Sequence, residues 1–163
     1  MYVFADEGDG RLQLLVHRRS ASMHGGNLVS APGGLVERDR CGRHGTDFAK
    51  GAKVTALAEL REEAGIDLRG QELFEMSVDD ECSYRGAGTH RNYGIILPQR
   101  IATPGPLPRH RWELTKNGMD GVGTPAGDDF HSWVEVGALL EMADLLWDCR
   151  KPLEDLLKIR SER

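Results

Sequence analysis

The chain has 163 residues, 39% of them apolar and 29% charged, enough to close one hydrophobic core and too few for several domains. Lys and Arg total 21 against 26 Asp and Glu, a formal charge of −5, and this mild acidity argues against a dedicated nucleic-acid binder, which carries a basic excess or stripe. The longest apolar runs, such as Ile95-Ile96-Leu97, fall far short of the roughly 18 residues of a membrane span. Met1 leads at once into Tyr-Val-Phe-Ala with no basic n-region, so no secretory signal is expected. Cys41, Cys82 and Cys149 are odd in number and far apart, which offers neither a disulfide framework nor a CxxC metal pair and fits a reducing cytoplasm. The expectation is a single domain spanning residues 1–163.

In chain order, Tyr2 to Ala5 and Leu12 to His17 are β-like runs around the turn-rich Asp6-Glu7-Gly8-Asp9-Gly10, the pattern of a hairpin. Leu28 to Ala31 reads as a short strand running into Pro32-Gly33-Gly34, and Leu35-Val36-Glu37 as a resumed extended segment. Polar residues from Arg38 to Gly45 lead to Thr46 or Asp47, either of them suited to cap a helix that Gly65 ends. Leu73 to Val78 and Tyr93 to Leu97 are further strands. The stretch from Thr103 to Gly127 is Gly- and Pro-rich and too long for an ordinary connection. Trp133 to Val136 closes the strand set. Helices over Ala138 to Trp147 and Pro152 to Arg160 finish the chain, the second with Pro near its first position. Strands with one central helix and a helical tail make an α/β or α+β sandwich.

The central helix carries the chemistry. At roughly 100° per residue, Glu59, Glu62 and Glu63 fall in one arc, opposite Val54, Leu57, Leu60 and Ala64. Arg61 lies toward the apolar side, snorkelling at its edge. Like charges three or four residues apart cost a helix roughly 0.2–0.5 kcal/mol per pair. All three also sit near the C-terminus, where the macrodipole favours a cation by ~0.3–1 kcal/mol. A solvated face is the plain reading of such a cluster. A divalent cation is the sharper one, because it reverses both penalties and takes hard oxygen ligands of this kind.

Pro32-Gly33-Gly34-Leu35-Val36-Glu37 followed by Glu59-Leu60-Arg61-Glu62-Glu63-Ala64-Gly65-Ile66 resembles the Nudix hydrolase (MutT-like) box. Gly34 matches its opening Gly and Glu37 the Glu commonly found after the Gly-Gly pair. The second half of the box, from its first Glu onward, is matched in full. Leu14 to Ser20 resembles the family's strand ending in basic residues, and Trp133-Val134 with the following helix its penultimate segment. Two positions depart from the pattern: the box Arg is Ala58, and Lys50 stands where its middle Glu is expected, the loop after Gly34 being ten residues longer. Glu37 and Asp47 are the carboxylates available to replace that Glu.

The resemblance implies a Nudix-type α/β/α sandwich with a mixed sheet and a catalytic loop-helix-loop. It implies Mg²⁺- or Mn²⁺-dependent hydrolysis of a phosphoanhydride bond in a nucleoside diphosphate linked to another moiety. The metal would be held by the Gly33 carbonyl, Glu59, Glu62 and Glu63, with Glu59 or a carboxylate from a later loop as general base. Asp129 and its neighbour Asp128 stand before the Trp-Val strand, where the family often places that carboxylate, and Glu113 is the alternative. Arg18 and Arg19 are candidate phosphate donors, with a pair of surface arginines as the plain alternative. Among Tyr84, Tyr93, Trp112 and Phe130, Trp112 in the long loop is the choice for stacking on a base, and Tyr93 belongs to the core. His24, His44, His90, His110 and His131 have no ligand spacing and read mostly as exposed loop residues. Arg38, Arg40 and Arg43 of the longer loop can supply the guanidinium missing at Ala58. The expected partner is a small nucleotide rather than RNA or a membrane, with a homodimer left open. The alternative is a catalytically weak domain of this fold that binds a nucleotide or a protein partner.

Overall fold

The computed structural model describes residues 1–36, 38–42, 45–79, 90–115 and 130–162. Among the described residues six strands form one mixed sheet: β1 (Tyr2–Asp6), β2 (Leu12–Arg18), β3 (Val29–Ser30), β4 (Phe74–Asp79), β5 (His90–Leu97) and β6 (His131–Glu135). β1 runs antiparallel to β2, with Phe4 opposite Leu14, and parallel to β5, with Phe4 opposite Ile96. β2 also pairs with β3 and, from Gln13 to His17, with β6. The β1–β2 turn is set by its own side chains: Gly8 N–H donates to Asp6 and Arg11 N–H to Asp9, the Asx geometry that Asp brings to tight turns.

Because side chains alternate across a strand, β1 and β2 send residues to two separate cores. Tyr2, Phe4, Leu14 and Val16 pack with Val134, Leu139, Cys149 and Leu153 beneath α2 (Val136–Glu141) and α3 (Trp147–Ser161). Val3 and Leu15 pack with Ala52, Ala56, Leu60 and Ala64 of α1 (Phe48–Ala64) and with Tyr93 and Ile95. Helices cover both faces of the sheet, so the architecture is the expected α/β/α sandwich. No helix among the described residues is long and apolar enough to cross a membrane.

Asp47 caps α1 by accepting from the Lys50 N–H at 3.0 Å, and Gly65 ends it in the left-handed conformation at φ 71°. Gly51 is required where the helix meets the longer loop, because a Cβ there would run into Cys41. Several expectations need correction. Leu35 and Val36 are exposed and form no strand, and Leu35 is 81% exposed. The buried stripe of α1 runs through Ala52, Ala56, Leu60 and Glu63–Ala64, whereas Val54 is exposed. The helix is therefore rotated so that its small residues meet the sheet. Arg61 is exposed rather than snorkelling. The last helix begins at Trp147, which places Pro152 inside it, and α2 stops at Glu141 because Leu145 and Leu146 return to bridge and hydrogen-bond Val29.

His17 and His131 face each other across β2 and β6, 1% and 5% exposed, with ring centroids 5.4 Å apart at 70°. Neither is a loop residue, and none of their four ring nitrogens has a hydrogen-bond partner among the described residues. Burial holds both pKa values down, that of His131 to about 4 from 6.5. The unfolded chain therefore binds protons that the folded chain refuses. Stability is full above pH 6.5 and falls as the pH drops toward 4, by about 3 kcal/mol for His131 alone. Replacing His131 by Leu is expected to flatten this acid slope, as read from urea midpoints between pH 4 and 7.5; an unchanged slope would refute it.

Candidate functional site

Helix α1 delivers Glu59, Glu62 and Glu63 from its last two turns to the turn after β3, each in a different environment. Glu63 points inward. It is 5% exposed, and its Oε2 accepts from the Gly33 N–H at 3.1 Å. Burial, and then the charge of Glu59, push its pKa up to about 8 despite that donor. Glu59 lies against Gly34, where any Cβ would overlap its carboxyl group, so only glycine permits the approach. Its pKa is also raised, by burial and by Glu62.

Glu62 turns toward the loop side. Its Oε1 accepts from Arg109 Nη2 at 2.9 Å and lies 4.0 Å from Arg40 Nη2, while its Oε2 lies 3.1 Å from His110 Nε2. Arg40 stands at the end of a 3-10 turn (Arg38–Arg40) in the longer loop. The loop thus brings the Arg40 guanidinium to within 4.0 Å of Glu62.

The long stretch after Thr103 contains a 3-10 helix, Pro108–Glu113, pinned at both ends by backbone bonds. Gly105 N–H donates to Ala64 O and Leu107 N–H to Glu62 O, satisfying carbonyls at the end of α1. Beyond it, Ser20 N–H donates to Glu113 O, Leu114 bridges Arg19, and Thr115 N–H donates to Arg18 O. Glu113 is thereby held close enough that its charge raises both Glu59 and Glu63. Trp112 projects from the same helix, 61% exposed.

Arg18 and Arg19 leave β2 on opposite faces. Arg18 donates to Asp144 at 2.7 Å and to Asn27 O at 2.6 Å on the α3 side, away from the glutamates. Arg19 donates to His24 O and exerts its field on Glu63. Asp128, Asp129, Glu37, Arg43, His44, Cys82 and Tyr84 lie outside the described residues. Tyr93 is a core residue whose hydroxyl donates to Ala49 O. Sequence reasoning passed over Arg109 and dismissed His110. The signal available was the three-residue spacing of His110 and Glu113 in a turn headed by Pro108.

Whether these residues suit a divalent cation is tested by Glu63: a carboxyl this buried, with one backbone donor and carboxylate neighbours, lacks the positive charge that its ionised form requires. The donor set is hard oxygen throughout, which suits Mg²⁺ or Mn²⁺. In the present arrangement no three His, Cys, Asp or Glu side chains among the described residues converge into a ready-made cage, since Glu62 is drawn to its cationic partners.

No protein-family model matches the sequence, and no curated relative matches it. Solved structures do match in fold. A mutT/nudix family protein from Listeria innocua is 21% identical over 99% of this chain and 91% of that one, with a TM-score of 0.63. The NUDIX domain of Shewanella oneidensis NrtR, complexed with ADP ribose, is 16% identical over 98% and 84%, at 0.63. A C. elegans Ap4A hydrolase is 13% identical over 99% and 96%, at 0.59. The fold is that of the Nudix proteins.

Linkage gives Glu63 a defined sign. Its folded pKa is raised from 4.5 to about 8, so its contribution to the metal-free protein is full below pH 4.5 and is lost as the pH rises through about 8. Glu63→Gln keeps the shape and the Gly33 bond without the charge. In metal chelator at pH 9 the variant is expected to unfold at higher urea than the wild type, with the difference vanishing near pH 5. Equal midpoints at both pH values would mean that Glu63 is solvated.

Proposed function

We propose that this chain is a divalent-cation-dependent hydrolase of a phosphoanhydride bond in a nucleoside diphosphate linked to another moiety. The observation that carries this reading is Glu63, a carboxyl buried against Glu59 beneath the Gly33–Gly34 turn, in a chain with the Nudix fold. Stability alone has no use for that arrangement, whereas a cation relieves it. The Gly33 carbonyl, Glu59, Glu62 and Glu63 would hold Mg²⁺ or Mn²⁺. When bound, it supplies charge neutralisation at the phosphates and acidifies the attacking water.

The chain's own residues do the rest. Glu59, with a carboxyl made more basic by burial and by Glu62, takes the proton of the attacking water. Arg109 is 69% exposed in its side chain and can turn from Glu62 to a phosphate oxygen, joined by Arg19 just after β2. Trp112, exposed on the same 3-10 helix, offers a face on which a base can stack. The two pinned ends of residues 105–115 hold these groups in fixed relation to α1, so the donors are organised before the substrate arrives.

A second reading, a nucleotide-binding domain with little turnover, is favoured by one observation: Glu62 is already engaged by Arg109 and His110. The NrtR domain captured with ADP ribose makes a nucleotide of that kind a sensible first probe for both readings. Calorimetry with Mn²⁺ followed by a panel of nucleoside diphosphate derivatives, with released phosphate or nucleoside monophosphate as readout, separates them.

Three outcomes are expected. Turnover should vanish in chelator, and Glu63→Gln should lower it by roughly two orders of magnitude with the protein still folded, since an amide is a poor ligand for a hard cation. Because a cation displaces the Glu63 proton, Mn²⁺ affinity should rise with pH up to about 8; a flat profile would remove Glu63 from the ligands. Ala58→Arg should change turnover little, whereas Arg40→Ala should lower it, because the guanidinium near Glu62 comes from the loop.

A further inference from the structure

Among the described residues two guanidiniums stand beside Glu62, and they are not equally held. The Arg40 side chain is 18% exposed and stops 4.0 Å short of the carboxylate. The Arg109 side chain is 69% exposed, yet it makes the hydrogen bond, its Nη2 donating to Glu62 Oε1 at 2.9 Å. Glu62 is thus bonded to the partner that another anion can most readily take away. Arg109 belongs to the 3-10 helix Pro108–Glu113, and in such a helix side chains three residues apart eclipse. The exposed Trp112 therefore lies on the same face as Arg109, about 6 Å along the axis. A base stacked on Trp112 carries the phosphates that follow it toward Arg109.

We infer that Arg109 is a latch coupling nucleotide to cation: it occupies Glu62 in the resting protein, and a nucleotide phosphate draws it off and frees that carboxylate for a cation. The inference rests on the metal reading proposed above and adds the order in which the site is completed. Glu62 Oε1 already accepts from the guanidinium at 2.9 Å. Were the same oxygen to ligate Mg²⁺ at about 2.0–2.1 Å, a single and a double positive charge would stand about 4–5 Å apart and repel. Arg109 and the cation therefore compete for Glu62. A phosphate ends the competition, because a guanidinium pairs with it through two parallel charge-assisted bonds. Linkage makes the effect mutual, so the nucleotide tightens the cation and the cation tightens the nucleotide by the same factor.

The test is Mn²⁺ affinity by calorimetry for the wild type, Arg109→Gln, Arg109→Lys and Arg111→Gln, with thermal midpoints as the control for folding. Each is titrated alone and then with saturating adenosine 5′-(α,β-methylene)diphosphate, whose methylene bridge blocks hydrolysis. Arg111 controls for general charge effects: it is exposed on the same helix, with its guanidinium 5.8 Å from the centre of the Phe130 ring. Without the analogue, Arg109→Gln should bind Mn²⁺ about two- to fivefold more tightly than the wild type, the worth of an exposed ion pair. With Mn²⁺ present, the same variant should bind the analogue more weakly. The factor by which the analogue tightens Mn²⁺ should shrink accordingly; Mn²⁺ complexed by the analogue in solution is common to all four proteins and cancels between them. Arg109→Lys, which keeps the charge, should stay near the wild type, and Arg111→Gln should move neither affinity. Loss of a merely structural residue would weaken both affinities, so the opposite signs distinguish the latch. Unchanged or weaker Mn²⁺ binding in Arg109→Gln, or an equal gain in Arg111→Gln, would overturn the latch and leave the metal reading intact. A wild type that binds no Mn²⁺ even with the analogue present would overturn the metal reading, and this inference with it.

Discussion

A single buried carboxyl, Glu63, organises the site. It sits on the sheet-facing side of α1 with Leu60 and Ala64, and its one described donor is the Gly33 N–H. An ionised carboxylate in that place costs several kcal/mol unless it is paired, so the fold keeps it protonated to about pH 8. The contact also ties the turn after β3 to the end of α1, and thereby brings Gly34 against Glu59. The loop before the helix and the helix end are thus joined through the carboxylates themselves rather than through apolar packing.

Electrostatics sorts the three glutamates into distinct states. Among the described residues Glu63 has no cation in contact, Glu59 is caught between burial and its neighbours, and Glu62 is met by Arg109, Arg40 and His110 from two separate segments. The cluster on the last turns of the helix is tolerable because Glu63 keeps its proton and the compensation of Glu62 comes from outside the helix. The segment from Gly105 to Thr115 supplies most of it and also satisfies the helix's terminal carbonyls. Capping and charge compensation are one feature of the chain here, and a change in either reaches the other.

The alternation of β2 decides which basic residue faces the glutamates. Arg18 and Arg19 are adjacent in sequence, yet the strand sends one to Asp144 near α3 and leaves the other in the field of Glu63. The same alternation puts His17 beneath the α1 side, facing His131, an unpartnered polar pair in a region otherwise filled by Leu15, Val3 and Tyr93. That pair is the chief acid-labile element among the described residues.

Local physics made much of this legible before any coordinates. The caps at Asp47 and Gly65, the hairpin turn, the strand order along the chain and the glutamate-bearing helix follow from nearest-neighbour preferences and from a period that a linear sequence displays. The Gly33–Gly34 turn and Glu59, Glu62 and Glu63 were legible for the same reason, as spacing and residue type. Tertiary structure decided what depends on partners distant in the chain. It rotated α1 so that Ala52 and Ala56 rather than Val54 meet the sheet, ended α2 early because Leu146 hydrogen-bonds Val29, and buried His131. It also carried His110 and Arg109 across 47 or more positions of sequence to Glu62. Such contacts leave no periodic trace, because an ion pair or a hydrogen bond needs only that two atoms arrive within about 3 Å, and only the folded sheet brings those segments together.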